Sequence, residues 1–248
     1  MSNIKIIYDE QKYKNMAKYG DDKLFESWLD INLFFPIGDK LVDPLYCMGL
    51  TPNNVTLLST FFTILAIYFL HIDNRIYAFL SYLFGYVLDC VDGRMARKYS
   101  MGSKFGMVFD CTSDNISNGI LITYLLLTRP LNITTNITLI ILFITSFLLS
   151  LSYGLNEAII AKKSTGNDNF YKLKLKELEK ELENKDICNS FEIILYKLFL
   201  FITKISYQTY KLIFPNYDQD KIFKWLKILK HFGPGNFCLL VSTILLYI

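Results

Sequence analysis

Histidine is nearly absent from this chain: 248 residues contain two, His71 and His231, each beside an apolar run. Both are far in sequence from any Ser or Cys of note, so imidazole-assisted nucleophilic catalysis has little to build on. The five cysteines, Cys47, Cys90, Cys111, Cys188 and Cys238, are scattered and form no C-x-x-C pair. That excludes a disulfide scaffold and a zinc knuckle and leaves them as core fillers. Charge of one sign is also missing. The net charge is only +3 and lysines alternate with glutamates, which argues against nucleic acid as a partner. The first 24 residues mix charges and hold no apolar run, so a cleavable leader is not expected and the N-terminus is placed in the cytoplasm.

Apolar residue is what the chain has in excess. Apolar side chains make up 52% of it and aromatics 16%, and the mean hydropathy is +0.28, more than a water-facing globule carries. The excess is concentrated in runs at 55–72, 133–151, 191–205 and 237–248, which is membrane patterning. Residues 1–26 read as a cytoplasmic segment. Residues 27–50 read as an amphipathic element at the interface, with Pro36 and Pro44 limiting its helical pieces. Thr51-Pro52-Asn53-Asn54 then supplies cap and first-turn chemistry for the first span.

The next apolar run, 76–88, gives roughly 20 Å of helix, too short for a hydrocarbon core of about 30 Å. To cross, it must carry Asp89 and Asp92 to the membrane's edge. The third segment has the mirror-image shortage: its clean apolar stretch is 120–127, so it must begin near Gly106 and include Asp110 and Asp114. Spans at 133–161, 191–214 and 233–248 complete an all-α integral membrane protein of six transmembrane helices over 51–248. A charged loop at 162–189 shows i, i+3 Lys/Glu pairs such as Lys174/Glu177, as in a solvated helix. Basic residues Arg94, Arg97, Lys98, Lys104, Lys162 and Lys163 put the acidic face in the cytoplasm. With six spans, however, Lys221, Lys224, Lys227 and Lys230 in the loop 215–232 would lie on the opposite side.

At about 100° per residue, positions 89, 92, 93, 96 and 97 share one helical stripe and 106, 110 and 114 share a second. Four carboxylates therefore converge at one membrane face. Pairing with Arg94, Arg97, Lys98 and Lys104 is the plain structural reading. Yet ionisable groups within spans are costly and face interior cavities, and on their own stripe the acids outnumber the cation Arg97. A hard divalent cation answers that imbalance, and such ions are completed by substrate phosphates. Two ions clamping a phosphoryl group would predict phosphoryl transfer. Gly93 and Ala96 leave backbone open to a close ligand, and Arg97 offers a planar fork for phosphate oxygens.

The run Asp89-x2-Asp92-Gly93-x2-Ala96-Arg97-x8-Gly106-x3-Asp110-x3-Asp114 resembles the signature of the CDP-alcohol phosphatidyltransferase family (class I). The likeness covers about residues 40–160. It implies a six-helix membrane enzyme, usually a homodimer, that joins a CDP-linked donor to an acceptor hydroxyl and releases CMP. By the resemblance, Asp89, Asp92 and Asp110 would ligate Mg2+ or Mn2+. Asp114 would complete a second metal site and take the acceptor's proton. Asp92, Gly93, Ala96, Arg97 and Gly106 would hold the CDP part. An internal membrane such as the endoplasmic reticulum, if the source is eukaryotic, is the expected location, with the site facing the cytoplasm.

Family members either move a phosphatidyl group from CDP-diacylglycerol to a small alcohol, or move a phospho-aminoalcohol from CDP-choline or CDP-ethanolamine to diacylglycerol. Ser103-Lys104-Phe105-Gly106 before Asp110 is similar to inositol-type members of the first branch, although Asn115 stands where they have an Arg. Lys104, Asn156, Glu157 and Lys162 are candidate acceptor contacts near the same leaflet. A cation channel or transporter would also bury acids, but spans one, four and five offer few polar residues to extend a path.

Overall fold

The computed structural model describes residues 26–128, 133–165, 170–183, 190–213 and 219–247. These are helical, with no strand among the described residues. The helices are α1 (Phe35–Cys47), α2 (Pro52–His71), α3 (Arg75–Lys98), α4 (Lys104–Thr128), α5 (Ile133–Thr165), α6 (Phe170–Glu183), α7 (Ser190–Ile213), α8 (Gln219–Leu229) and α9 (Pro234–Tyr247).

Local chemistry sets the boundaries. Thr51 caps α2, its Oγ1 accepting from the Asn54 N–H at 3.4 Å with Pro52 in the first turn. Asn74 caps α3 in the same way, and Ser103 Oγ caps α4 by accepting from the Gly106 N–H at 2.9 Å. The C-terminal ends of α1, α2 and α3 share one device. Gly49, Asp73 and Ser100 take positive φ, and the next residue's N–H reaches back five positions, to Leu45, Phe69 and Ala96 carbonyls. That closes the orphan carbonyls.

Four helical stretches are long and apolar enough to cross a membrane: Pro52–His71, Arg75–Lys98, Asn136–Asn156 and Lys224–Tyr247. Among the described residues α4 and α7 are not in that set. Asp110 and Asp114 dilute the first half of α4, and Lys197 and Lys204 interrupt α7. Apolar side chains on the outer faces, such as Leu57, Phe61, Ile64 and Tyr68 of α2 and Ile140, Phe143 and Ile144 of α5, are exposed, as a lipid-facing bundle requires.

Helix α3 is the centre of the bundle. Gly85 lets α2 approach it: a Cβ there would lie 3.1 Å from the Ser59 carbonyl oxygen and 3.3 Å from Phe62 Cβ. Small residues at such crossings allow close backbone contact between membrane helices. Ala66, Leu70, Ala78, Tyr82, Leu121, Leu125, Leu142, Val241 and Leu245 of α2, α3, α4, α5 and α9 form the main core. A second cluster joins Val42 of α1 to Val55, Leu88, Val91 and Met95.

The segment before α2 continues as one helix from a π-helical turn, Asp30–Phe34, into α1. Pro36 sits in its first turn, but Pro44 lies inside α1 rather than ending it. Asp30, Phe34, Gly38 and Val42 form its buried stripe, while Trp28, Leu33, Ile37 and Tyr46 are exposed. Two ion pairs fasten it to α3: Asp39 with Arg94, and Asp43 with Lys98.

The head of α9 is not where six alternating spans would put it. Pro234, at the head of α9, lies at the same end of the bundle as Asp89 and Asn53, whereas the Tyr247 carbonyl accepts from Arg75 at the other end. Helix α9 therefore begins at the acidic end. Lys204 of α7 pairs with Glu179 at 3.1 Å, and Glu181, one step along α6, holds Lys104 at the head of α4. Helix α7 is thus still near the acidic end at Lys204, whose charge is met there. The charged loop is likewise more than a wet surface, because Leu178 of α6 is buried against Val108, Phe109, Leu195 and Phe199.

Candidate functional site

A cavity of about 480 Å³ opens at the acidic end, within the range of small-ligand sites. Helix α2 contributes Pro52, Asn53 and Thr56. Helix α3 contributes Tyr86, Asp89, Asp92, Gly93, Ala96 and Arg97, and α4 contributes Gly106, Asp110 and Asp114. All eight positions of the motif thus line one cavity, four of them carboxylates. The helical spacing explains part of this, since the five positions on α3 and the three on α4 each project from one face. The packing of both α3 and α4 against α2 supplies the rest.

Carboxylate oxygens of Asp89, Asp92 and Asp110 lie within 4.8 Å of one another. At an effective dielectric of ~20, two ionised groups at that range repel by about 3 kcal/mol. Asp92 is buried, and its Oδ2 accepts a 2.6 Å hydrogen bond from Thr56 Oγ1 across the α2–α3 contact. Thr56 carried no expectation from the sequence. Its signal there is a polar residue one turn after Asn53 inside an apolar run, of the kind that faces a protein interior.

The basic residues around the motif are largely committed elsewhere. The Arg94 guanidinium forks onto Asp39 and lies over the Phe35 ring. Lys98 donates to Asp43, and Lys104 donates to Glu181. Burial raises the Asp43 carboxyl, but hydrogen bonds from Lys98 and Tyr99 outweigh it and hold it below the ordinary carboxylate value. Arg97 lines the cavity and folds over Gly93, where a Cβ would stand 3.2 Å from its Nη1. Gly106 is confined in turn: a Cβ there would lie 3.0 Å from Ser103 Oγ and 3.1 Å from Asn53 Oδ1.

Three helix N-termini, those of α2, α4 and α9, begin at this cavity. Their partial positive charge favours anions such as phosphate. Clustered carboxylates with no His or Cys in the ligand group suit a hard divalent cation completed by phosphate oxygens.

The expected acceptor contacts fare differently. Lys104 turns outward to Glu181 at 2.5 Å and is exposed, rather than pointing into the cavity. Its ammonium is held above the ordinary value by that hydrogen bond. Asn156 is buried on α5 and is not among the cavity's residues. The side chains of Glu157 and Lys162 lie outside the described residues.

Residues 49–178 match the model of the CDP-alcohol phosphatidyltransferase family. Among curated proteins, the chain is 35% identical over 80 residues to the archaetidylinositol phosphate synthase of Pyrococcus horikoshii, covering 32% of this chain and 43% of that protein. It is 36% identical over 101 residues to the phosphatidylinositol phosphate synthase of Mycobacterium tuberculosis, covering 38% and 46%. An uncharacterized protein of Aquifex aeolicus is 34% identical over 94 residues, covering 36% and 48%. The chain thus spans somewhat less than half the length of the curated relatives it matches. No solved structure matches it. With its complete acidic motif inside the matched region, which makes up more than half of its length, this chain belongs to the CDP-alcohol phosphatidyltransferase family.

Proposed function

We propose that the protein is a membrane transferase that moves a phosphatidyl-type group from a CDP-linked lipid to the hydroxyl of a small polar alcohol, releasing CMP. The observation that carries this reading is the cluster of Asp89, Asp92 and Asp110 carboxylates within 4.8 Å, in a cavity also lined by Arg97 and Asp114. Asp89, Asp92 and Asp110 would hold the divalent metal, Mg2+ or Mn2+, and Asp114 would complete a second ion's site. Bound there, the metal supplies charge neutralisation for the diphosphate.

The remaining chemistry belongs to the chain. Asp114 takes the proton from the acceptor hydroxyl. The hydroxyl oxygen bonds to the lipid-bearing phosphorus as the bond to the bridging oxygen breaks, and that oxygen leaves with CMP. Arg97 binds phosphate oxygens with its planar fork, while Gly93, Ala96 and Gly106 keep backbone open for the nucleotide. An inositol-type acceptor is favoured, because two relatives are named for inositol phosphate lipids. Asn115 in place of the Arg of inositol-type members leaves the aminoalcohol branch as the second reading. A multi-pass helical membrane domain, an interfacial seat for residues 27–50, a cytoplasmic active site in an internal membrane and a homodimer complete the proposal.

The test is purified protein in detergent with Mg2+, given labelled CDP-diacylglycerol and a panel of alcohols that includes inositol and inositol phosphate, and separately CDP-choline with diacylglycerol. Lipid product from the first mixture is expected. Product from the second alone moves the protein to the other branch. Asp114→Asn should abolish CMP release while leaving the thermal transition within a few degrees of wild type.

A further inference from the structure

The family match begins at residue 49 and ends at 178, yet Glu26, Phe35 and Pro234 line the same cavity as the acidic stripe. What gathers these outlying residues is one carboxylate. Asp30 is fully buried. Its Oδ2 accepts from Ser27 Oγ at 2.6 Å and from the Gly235 backbone N–H at 3.1 Å, and its Oδ1 accepts from the Tyr86 hydroxyl at 2.6 Å. The three donors come from the segment before α1, the head of α9, and α3 one turn ahead of Asp89.

The surroundings leave no slack. A Cβ on Gly235 would collide with the Asp30 carboxylate and stand 2.9 Å from the Phe34 ring. A Cβ on Gly233 would stand 2.9 Å from that of Ser27. The Phe34 ring meets Tyr86 edge-on at a centroid distance of 4.9 Å. The Asp30 charge sits against the first turn of α9, where a helix accepts an anion most readily, and it does for α9 what a local cap does for α2. Tyr86 is the link to the site: its hydroxyl is fixed by Asp30 while the residue lines the cavity.

We propose that Asp30 is a positioning residue: it clasps the N-terminal segment and the head of α9 to Tyr86, and so builds the part of the substrate cavity that lies outside the family-matched region. Substrate binding depends on this wall, whereas the acidic cluster on α3 and α4 is assembled without it. The kinetic half of the inference rests on the transferase reading above; the structural half does not.

The experiment uses the full chain in detergent, as wild type and as Asp30→Asn, Ser27→Ala and Tyr86→Phe. Hydrogen exchange followed by mass spectrometry should show the amides at 235–238 exchanging about tenfold faster in Asp30→Asn, from loss of a charge-assisted bond, with peptides covering 89–114 unchanged. In the transfer assay, KM for the CDP-lipid should rise about tenfold in Asp30→Asn and about threefold in Tyr86→Phe, with kcat within about twofold and Mn2+ affinity unaltered. Should Asp30→Asn fail to fold, Ser27→Ala and Tyr86→Phe each remove a single donor and carry the same test.

Unchanged exchange at the head of α9 overturns the clasp. A fall in Mn2+ affinity that tracks the rise in KM, or a loss of kcat at constant KM, overturns its selective role at the substrate wall. If wild type releases no CMP from any mixture, the transferase reading fails, and the exchange measurement still decides the clasp.

Discussion

Replacing Thr56 by valine removes one hydroxyl and almost no volume, at a position where that hydroxyl donates to a buried member of the acidic cluster. Thr56 Oγ1 has two acceptors in reach, Asp92 Oδ2 at 2.6 Å and the Pro52 carbonyl at 3.2 Å. Its single proton goes to the carboxylate, which is closer and charged. Hydrogen bonds to charged groups contribute about 1.5–3 kcal/mol, and at about 1.4 kcal/mol per decade that is roughly 10- to 150-fold in an equilibrium constant. Removing a donor also makes the carboxylate more basic, which favours a cation, so the expectation lies toward the lower end of that range. Groups that orient metal ligands typically contribute 10- to 100-fold to affinity. We therefore expect Thr56→Val to bind Mn2+ about 10- to 50-fold more weakly, measured by calorimetry or by the free-ion paramagnetic signal, with Thr56→Ser restoring affinity to within about threefold. Thr60→Val is the control. Thr60 donates only to the Thr56 carbonyl one turn along, at 3.0 Å, and its loss should leave affinity unchanged. Wild-type affinity in Thr56→Val, or an equal loss in Thr60→Val, would refute the claim that this hydroxyl aims Asp92.

Further expectations follow from single contacts. Gly85→Val places a side chain where the Ser59 carbonyl is 3.1 Å away; overpacking of this kind costs about 1–3 kcal/mol, so the thermal transition in detergent should fall by several degrees, and an unchanged transition would mean that α2 and α3 are not in contact there. Gly106→Leu crowds Ser103 and Asn53, and we expect loss of CMP binding in a fluorescence or calorimetric titration while Mn2+ still binds. The Asp43 carboxyl is held below its ordinary 3.8, so the stability it contributes is complete above that value and is lost as pH falls through the lower, folded-state value. Lys98→Met removes the partner, and stability curves of wild type and variant should converge on acidification; a difference that persists unchanged to low pH would exclude this carboxylate as its source.

The sequence carried the elements whose cause is local. Apolar runs marked α2, α5 and α9, and the Thr51-Pro52-Asn53 start of α2 was legible because a cap acts within three residues. The stripe of Asp89, Asp92, Gly93, Ala96 and Arg97 was legible for the same reason, as helical periodicity turns spacing into a face. The end of the bundle at which α9 begins was not legible, for a different kind of reason. Hydropathy counts crossings, but α7 carries Lys197 and Lys204, and the second of these is met by Glu179 on α6. That ion pair holds α7 to α6 at Lys204, and no window average reports such a partner.

Cations beside the motif mislead in a similar way. Read along the chain, Arg94, Lys98 and Lys104 are the natural counter-charges of Asp89, Asp92 and Asp110. In the fold, two of them serve to dock α1, and the third serves to dock α6. Neutralisation by neighbours in sequence would have made the cluster an ordinary ion-pair network. Those neighbours instead seat α1 and α6 against α3 and α4. Asp30 takes this furthest, since its bond to Gly235 joins positions 205 residues apart. No periodicity, cap rule or spacing connects them. Only the arrival of α9 at the acidic end gives that carboxylate its backbone donor from Gly235 and brings Pro234, from beyond the family-matched segment, to the cavity wall.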